Sequence, residues 1–213
     1  MRQIALCFLL LVATSSYAAN QAVIATTDFS SGGLSSLDLS TNTATHDHLS
    51  IHSDTALRTY GAHAYVINRL GQDNVIVLHK DDLSQPLVQY STGNGSNPQD
   101  MAFVSENKAY VLLYAKAHVL IVNPATGDSL GIVDLSAFAD ADGVPEMSQL
   151  ALYNNRLFVA CQRLDQVNGF VPADFSVIAV VDVTTDQVVD VDPNVTGVQG
   201  IVMAGKNPSS ASQ

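Results

Sequence analysis

Three carboxylates crowd into one short stretch, Asp140-Ala141-Asp142-Gly143-Val144-Pro145-Glu146. Calcium takes oxygen ligands and favours a sharp glycine turn between them, so Asp140, Asp142 and Glu146 are candidate calcium ligands. The full twelve-residue calcium loop is absent, and a solvated acidic loop is the alternative. A second cluster is His46, His48 and His52. On a regular strand these three would share one face, because side chains alternate with a period of two. Imidazoles so placed suit zinc or copper; a polar outer strand would look the same. Arg69 and Arg163 each follow an apolar run, in Asn68-Arg69-Leu70 and Gln162-Arg163-Leu164, and Tyr114 holds the matching place between them. A loop guanidinium can grip a carboxylate with two parallel hydrogen bonds. Pairing with a loop acid such as Asp165 is the competing, structural role. Arg69, Tyr114, Arg163 and Asp165 are thus the candidate ligand-face residues.

No catalytic residue stands out. There is no Cys-x-x-Cys-His haem site, no Gly-x-Ser-x-Gly nucleophile elbow and no glycine-rich phosphate loop. Cys161 lies in the apolar run Leu157-Phe158-Val159-Ala160-Cys161, far in sequence from any histidine, which points to a buried, inert thiol. No cofactor is expected, with calcium at the acidic loop as the alternative.

The bulk composition narrows the partners. Of 213 residues, 47% are hydrophobic, enough for a real core. Nine Lys and Arg stand against 20 Asp and Glu, a net charge of −11. That excess repels phosphate backbones and anionic lipid, so nucleic acid and membrane surfaces are poor candidate partners; an unknown protein or small ligand is expected instead. Residues 1–18 read as a signal peptide. Arg2 supplies the positive start, Ile4 to Ala13 the apolar core, and Ser16-Tyr17-Ala18 the small residues before cleavage. Cleavage is expected after Ala18, with Ala19 as the alternative. No later segment reaches about 18 uninterrupted apolar residues, so no membrane span is expected. The destination is then the periplasm, the cell surface or the medium. Removing the leader leaves Cys161 without a disulfide partner.

The elements that must position these residues recur. Ala64-Tyr65-Val66-Ile67-Asn68 is followed by Asn74-Val75-Ile76-Val77-Leu78. Ala109-Tyr110-Val111-Leu112-Leu113 is followed by His118-Val119-Leu120-Ile121-Val122, and Leu157 to Cys161 by Ser176 to Val181. Each pair precedes a polar turn, such as Asn123-Pro124-Ala125-Thr126-Gly127 or Asp182-Val183-Thr184-Thr185-Asp186. Asp and Asn suit such turns because their side chains bond the local backbone. Each pair also follows a candidate inner strand: Asp54 to Tyr60, Pro98 to Val104 and Met147 to Tyr153. From Tyr65 to Tyr110 is 45 positions, and from Tyr110 to Phe158 is 48. Short strands at such a period predict an all-β chain: a β-propeller of about four blade-like repeats of four antiparallel strands, a, b, c, d from centre to rim, incomplete or open. A sandwich of stacked meanders is the alternative.

Tyr-Val-x-x-x, an apolar strand, Asp/Asn-x-x-Thr, a second apolar strand and then Gly-x-Asn-Pro together resemble bacterial YVTN-type (YncE-like) β-propeller repeat proteins. The resemblance covers nearly all of the mature chain and implies the fold. It brings no active site with it, because no residue set here matches one.

Both ends look unfinished. The first repeat starts at Val23-Ile24-Ala25-Thr26, which reads as strand b with no strand a before it. Gly205-Lys206-Asn207-Pro208 repeats the Gly95-Ser96-Asn97-Pro98 signal for an inner strand, yet only the polar Ser209-Ser210-Ala211-Ser212-Gln213 follows. The propeller is therefore bounded at 20–208, with 209–213 a disordered tail. An open arc, an N-terminal portion of something longer, is expected; a four-bladed ring closed by the tail is the rival. In an a-b-c-d meander the d–a and b–c connections emerge on one face. The two long ones, 135–146 and 163–174, would form a ligand face there. The expected function is an exported, non-catalytic binding module. The alternatives are a metal-dependent hydrolase or lactonase, or a truncated fragment without function.

Overall fold

The computed structural model describes residues 20–203. The signal segment 1–18, the Gly205-Lys206-Asn207-Pro208 motif and the tail 209–213 lie outside the described residues. Four antiparallel sheets follow one another along the chain. The first has three strands, β1 (Gln21–Thr27), β2 (Gly32–Asp38) and β3 (Thr43–Ile51). The second runs β4 (Thr55–Tyr60), β5 (His63–Asn68), β6 (Asn74–His79) and β7 (Asp82–Ser91). The third runs β8 (Pro98–Ser105), β9 (Lys108–Leu113), β10 (His118–Val122) and β11 (Ser129–Asp134).

The fourth sheet is more elaborate. It starts with β12 (Met147–Tyr153) and β13 (Arg156–Cys161), detours through a two-stranded hairpin, β14 (Leu164–Asp165) and β15 (Val171–Pro172), and resumes at β16 (Ser176–Asp182). Its outer strand is split. β17 (Gln187–Val189) pairs with the C-terminal half of β16 and β18 (Ile201–Met203) with the N-terminal half, the chain leaving the sheet over 190–200 in between. Gly200 allows the return: a Cβ there would lie 2.4 Å from Val177 Cγ1 and 3.1 Å from the Phe138 ring.

Strand composition follows from stacking the sheets face to face. β5 and β6 are buried along nearly their whole length, as is β9, so they read as unbroken apolar runs instead of alternating ones. The outermost β7 and β11 are mostly exposed. Strand parity then sorts residues between interfaces. Ala64 and Val66 point toward the first sheet and pack with Leu34 and Ile51. Their neighbours Tyr65 and Ile67 point the other way and pack with Met101, Ala109 and Val111. Tyr110 and Leu112 again face onward, to Leu157, Val159 and Val181. Four sheets with three apolar layers between them make an arc. Among the described residues no fourth layer joins the last sheet back to the first. β1 packs on β4 as β5 packs on β8 and β9 on β12, so the first sheet starts at strand b, as its sequence implied.

Two polar links cross these layers. Asp100 on β8 is buried at 2% exposure, forms an ion pair with Arg58 Nε on β4 at 2.7 Å, and accepts from Leu150 N on β12 at 2.9 Å and from Met101 N at 2.7 Å. One carboxylate thereby ties three successive inner strands. Lys108 Nζ donates to both Asp186 oxygens at 2.8 Å, and the Tyr110 hydroxyl donates to the same carboxylate. Gly127 stands in the preceding blade where Asp186 stands here. It keeps the left-handed turn (φ 81°), but a Cβ there would fall 2.2 Å from the Tyr90 ring. The buried Tyr65 hydroxyl accordingly finds no partner, and burial pushes its pKa up to about 12.

Replacing Asp100 with Asn leaves Arg58 without its counter-charge and one strand N–H without an acceptor. The expected cost is about 2–3 kcal/mol in urea unfolding. An unchanged midpoint would show that the three strands do not need this carboxylate.

Candidate functional site

The two long connections meet. The d–a loop 135–146 begins with a short 3-10 turn, Ser136–Phe138, whose Phe138 ring is buried. The b–c loop carries the β14–β15 hairpin. The two are laced by backbone bonds, Gln162 N to Glu146 O at 3.1 Å and Arg163 N to Pro145 O at 3.1 Å. Side chains complete the lacing. Glu146 Oε2 accepts from Leu164 N and Oε1 from Gln166 Nε2, each at 2.8 Å, while Asp142 Oδ2 accepts from Gln166 N at 2.7 Å. Carboxylates of one loop thus hold the backbone of the other.

Asp140, Asp142 and Glu146 do converge, with carboxylate oxygens within 4.8 Å of one another. Glu146 is fully buried in the left-handed region (φ 45°), and burial pushes its carboxyl up to about 7. The Asp140 carboxyl is also raised, first by burial and then by the charge of Asp142. Its Oδ1 accepts from Asp142 N at 3.2 Å, whereas its buried Oδ2 has no partner. Nearby, burial followed by the charges of Glu146 and Asp142 raises the Tyr114 phenol to about 12. Five of the six carboxylate oxygens therefore already accept from the two loops, and one does not.

Arg163 lies beside this cluster. Its guanidinium carbon is 4.5 Å from the Phe175 ring centroid, Nη1 donates to Phe175 O at 3.4 Å, and its buried Nε has no partner. It does not pair with Asp165. Asp165 instead accepts from Asn168 Nδ2 and Asn168 N, which hold its carboxyl below the usual range and close the hairpin tip. A cleft of about 450 Å³ runs between Ala139–Ala141, Arg163, Asp165 and Val171–Phe175. Beyond it the hairpin presents Val167 and Phe170 to solvent, 81% and 53% exposed.

The remaining candidates lie elsewhere. Arg69 donates to Asp54 through Nε at 2.7 Å and to Gln99 of the next blade, a structural clasp between inner strands instead of a free grip. The three histidines are not brought together. β3 bulges between its pairings with Leu34 and Ser36, and Asp47 takes positive φ (59°), which breaks the two-residue alternation. His48 Nε2 bonds Ser36 Oγ at 2.8 Å, while His52 Nδ1 turns to the Asp54 backbone. Cys161 is fully buried, and burial pushes its thiol up to about 12, as expected of an inert core cysteine. Two acids escaped notice in the sequence. Asp100 was visible only as a lone acid in an apolar strand. Asp73, 4% exposed, accepts from Gly95 N and Asn97 N and so anchors the Gly95-Ser96-Asn97-Pro98 turn; nothing in its neighbours marks it.

Among solved structures, the chain is similar to the WD40 β-propeller domain of Doa1, with a TM-score of 0.53 at 11% identity. The fold is a β-propeller. The match covers 80% of this chain and 50% of that one, so the chain spans about half the length of the domain it resembles. At such identity the likeness speaks for propeller architecture alone. No protein-family model and no curated protein matches the chain.

Glu146 supplies a pH signature. A carboxyl whose pKa is higher folded than unfolded holds its proton more tightly in the native state. Its contribution is complete below its ordinary 4.5 and lost as pH rises through about 7. Glu146→Gln keeps the shape without the charge. In chelator-treated buffer its stability relative to the parent should rise by about 1–3 kcal/mol from pH 5 to pH 8. A pH-independent difference would mean that Glu146 is ionised without penalty.

Proposed function

We propose that this chain is an exported, non-catalytic binding module whose ligand face is built by the d–a loop 135–146 and the b–c loop 163–174. The observation that carries this reading is the lacing of the two loops by Glu146 and Asp142. It turns two long connections into one preorganised surface on a rigid sheet scaffold, the usual setting for recognition. The hairpin tip adds Val167 and Phe170, apolar groups that folding leaves uncovered. The YVTN-type assignment within the propellers rests on Tyr65-Val66 and Tyr110-Val111, and export rests on the leader 1–18. No described helix is long and apolar enough to cross a membrane.

The enzymatic alternative draws on one observation, the gathering of Asp140, Asp142 and Glu146. A metal-dependent hydrolase needs those oxygens for an ion and an open coordination position. Here Asp142 and Glu146 spend theirs on Leu164 and Gln166, which favours the binding reading.

Protein recovered from a bacterial periplasm should begin at Ala19 or Asn20 by intact mass; a cytoplasmic product retaining Met1 would refute export. On an immobilised peptide library containing acidic, basic and apolar members, V167S/F170S should lose about tenfold in affinity for whatever the parent retains. Its unfolding midpoint should stay put, because both side chains are solvent-exposed. Equal retention by parent and variant would place the ligand face elsewhere.

A further inference from the structure

One kind of contact is repeated along the arc: the onward face of each sheet packs on the back face of the next. Tyr65, Ile67, Val75 and Val77 form the onward face of the second sheet and are buried against the third. Ala64, Val66 and Leu78 form its back face and are buried against the first. The first and last sheets repeat these faces. In the last, register puts Phe158, Ala160, Ile178 and Val180 in the places of Tyr65, Ile67, Val75 and Val77. In the first, Ala22, Ile24 and Leu37 take the places of Ala64, Val66 and Leu78. Among the described residues no further sheet lies on either face. β13 shows the consequence. Every second residue is buried, yet Phe158 and Ala160 between them are apolar too and stay part-exposed. A strand with one wet face alternates apolar with polar; β13 has the composition of one held between two sheets. Ile24 on the first sheet is 39% exposed.

The pairing rule names the occupant. An onward face takes a back face, and this chain has one spare of each, so a second copy satisfies both. The rims agree. His63 and Lys108, at the head of their strands b, lie beside acids of the following blade, Glu106 at 3.9 Å and Asp186 at 2.8 Å. Arg156 holds their place in the last sheet and bonds Asp182 and the Asn155 carbonyl of its own blade. Asn42 of the first sheet holds the place of Asp186. Each closes a turn opened by an aspartate whose Oδ1 accepts from the backbone two residues on, Asp38 from Ser40 and Asp182 from Thr184, both at 2.8 Å. Asn42 and Asp186 both take left-handed φ, 56° and 57°. A neutral residue suits the first position: Asp186 also takes the Tyr110 hydroxyl, and Phe158, in the place of Tyr110, has none to give. Curvature sets the number of copies. The arc overlays 50% of a propeller domain, so two copies complete one turn. Their sheets total about eight, within the range that propellers hold around one axis.

We propose that two copies of this chain close head to tail into one ring. Each lays the onward face of its last sheet on the back face of the other's first sheet. The Arg156 guanidinium of each donates to the Asn42 side-chain carbonyl of the other. Twofold symmetry makes the two contacts identical, so neither apolar face stays uncovered.

Sedimentation equilibrium of the full mature chain should give two chain masses, and no more as concentration rises. Ile24→Lys spoils the back face and Ile178→Lys the onward face. Each should run as a monomer with unchanged circular dichroism, because a lysine buried there has no partner. Mixed one to one, the two variants should regain a dimer, since the sound onward face of the first meets the sound back face of the second. That dimer should dissociate at least about tenfold more readily than the parent, having one contact in place of two. Ala160→Lys reads the same onward face should Ile178→Lys not fold. V167S/F170S, altered only at the hairpin tip, should stay at two chain masses, which separates ring closure from the ligand face. A parent that is monomeric at every concentration would overturn the proposal. So would an Ile24→Lys dimer as tight as the parent, which is what onward faces pairing with each other would give, or a mixture that stays monomeric. Mass climbing past two chains would mean an open polymer and would equally rule out the ring.

Discussion

One buried carboxylate sits where three blades meet. Asp100 pairs with the guanidinium of Arg58 from the blade before it and takes hydrogen bonds from Leu150 of the blade after it and from Met101 of its own strand. Inner strands of adjacent blades have no ladder between them, so something else must set their spacing at the hub. Apolar packing is non-directional and tolerates sliding. A carboxylate held by two backbone N–H donors and one paired guanidinium does not. Burying it is costly unless all its lone-pair directions are met, and here the donors come from three different sheets. The register of the blades around the axis is thereby a condition of satisfying Asp100.

From that hub the same economy extends outward. The two middle blades bury both faces of their central strands, and alternation sends odd and even residues to different neighbours. On one side of the disc, Lys108 and Tyr110 reach the c–d turn of the next blade at Asp186. The blade before cannot copy that contact, since Tyr90 fills the space beside Gly127, and Tyr65 pays with an unmatched hydroxyl. On the other side, acids act as clasps between loops: Asp73 on the Gly95–Asn97 turn, Glu146 and Asp142 on the hairpin. An acidic composition that looks like generic solubility is in part structural.

The candidate site is a by-product of those clasps. Burial, with the charge of Asp142 behind it, raises the carboxyl of Asp140, the one least used for docking, which lines the cleft beside Arg163. Propeller architecture alone is shared by proteins that bind very different things, so the laced loops and not the fold set this chain's binding surface apart.

Period and pattern were legible in the linear chain. Runs such as Tyr65–Asn68 and Tyr110–Leu113, spaced by 45 residues and followed by Asp/Asn turns, have one economical solution, and the strands formed within a residue or two of where alternation and turn chemistry put them. That β1 takes the place of a strand b was legible for the same reason, since position within a repeat is a local fact. The convergence of loops 135–146 and 163–174 followed from topology. What alternation could not foresee was its own interruption: the β3 bulge at Asp47 scattered the histidines, and the outer strand of the last blade left the sheet over 190–200. Nor could sequence tell a free acid from a spent one. Whether Arg69 grips a ligand or Asp54, and whether Glu146 or Asp140 keeps an open oxygen, depends on donors that lie far along the chain and meet only when the blades close up. Local periodicity is set by neighbours in the chain, whereas hydrogen-bond satisfaction is set by neighbours in space.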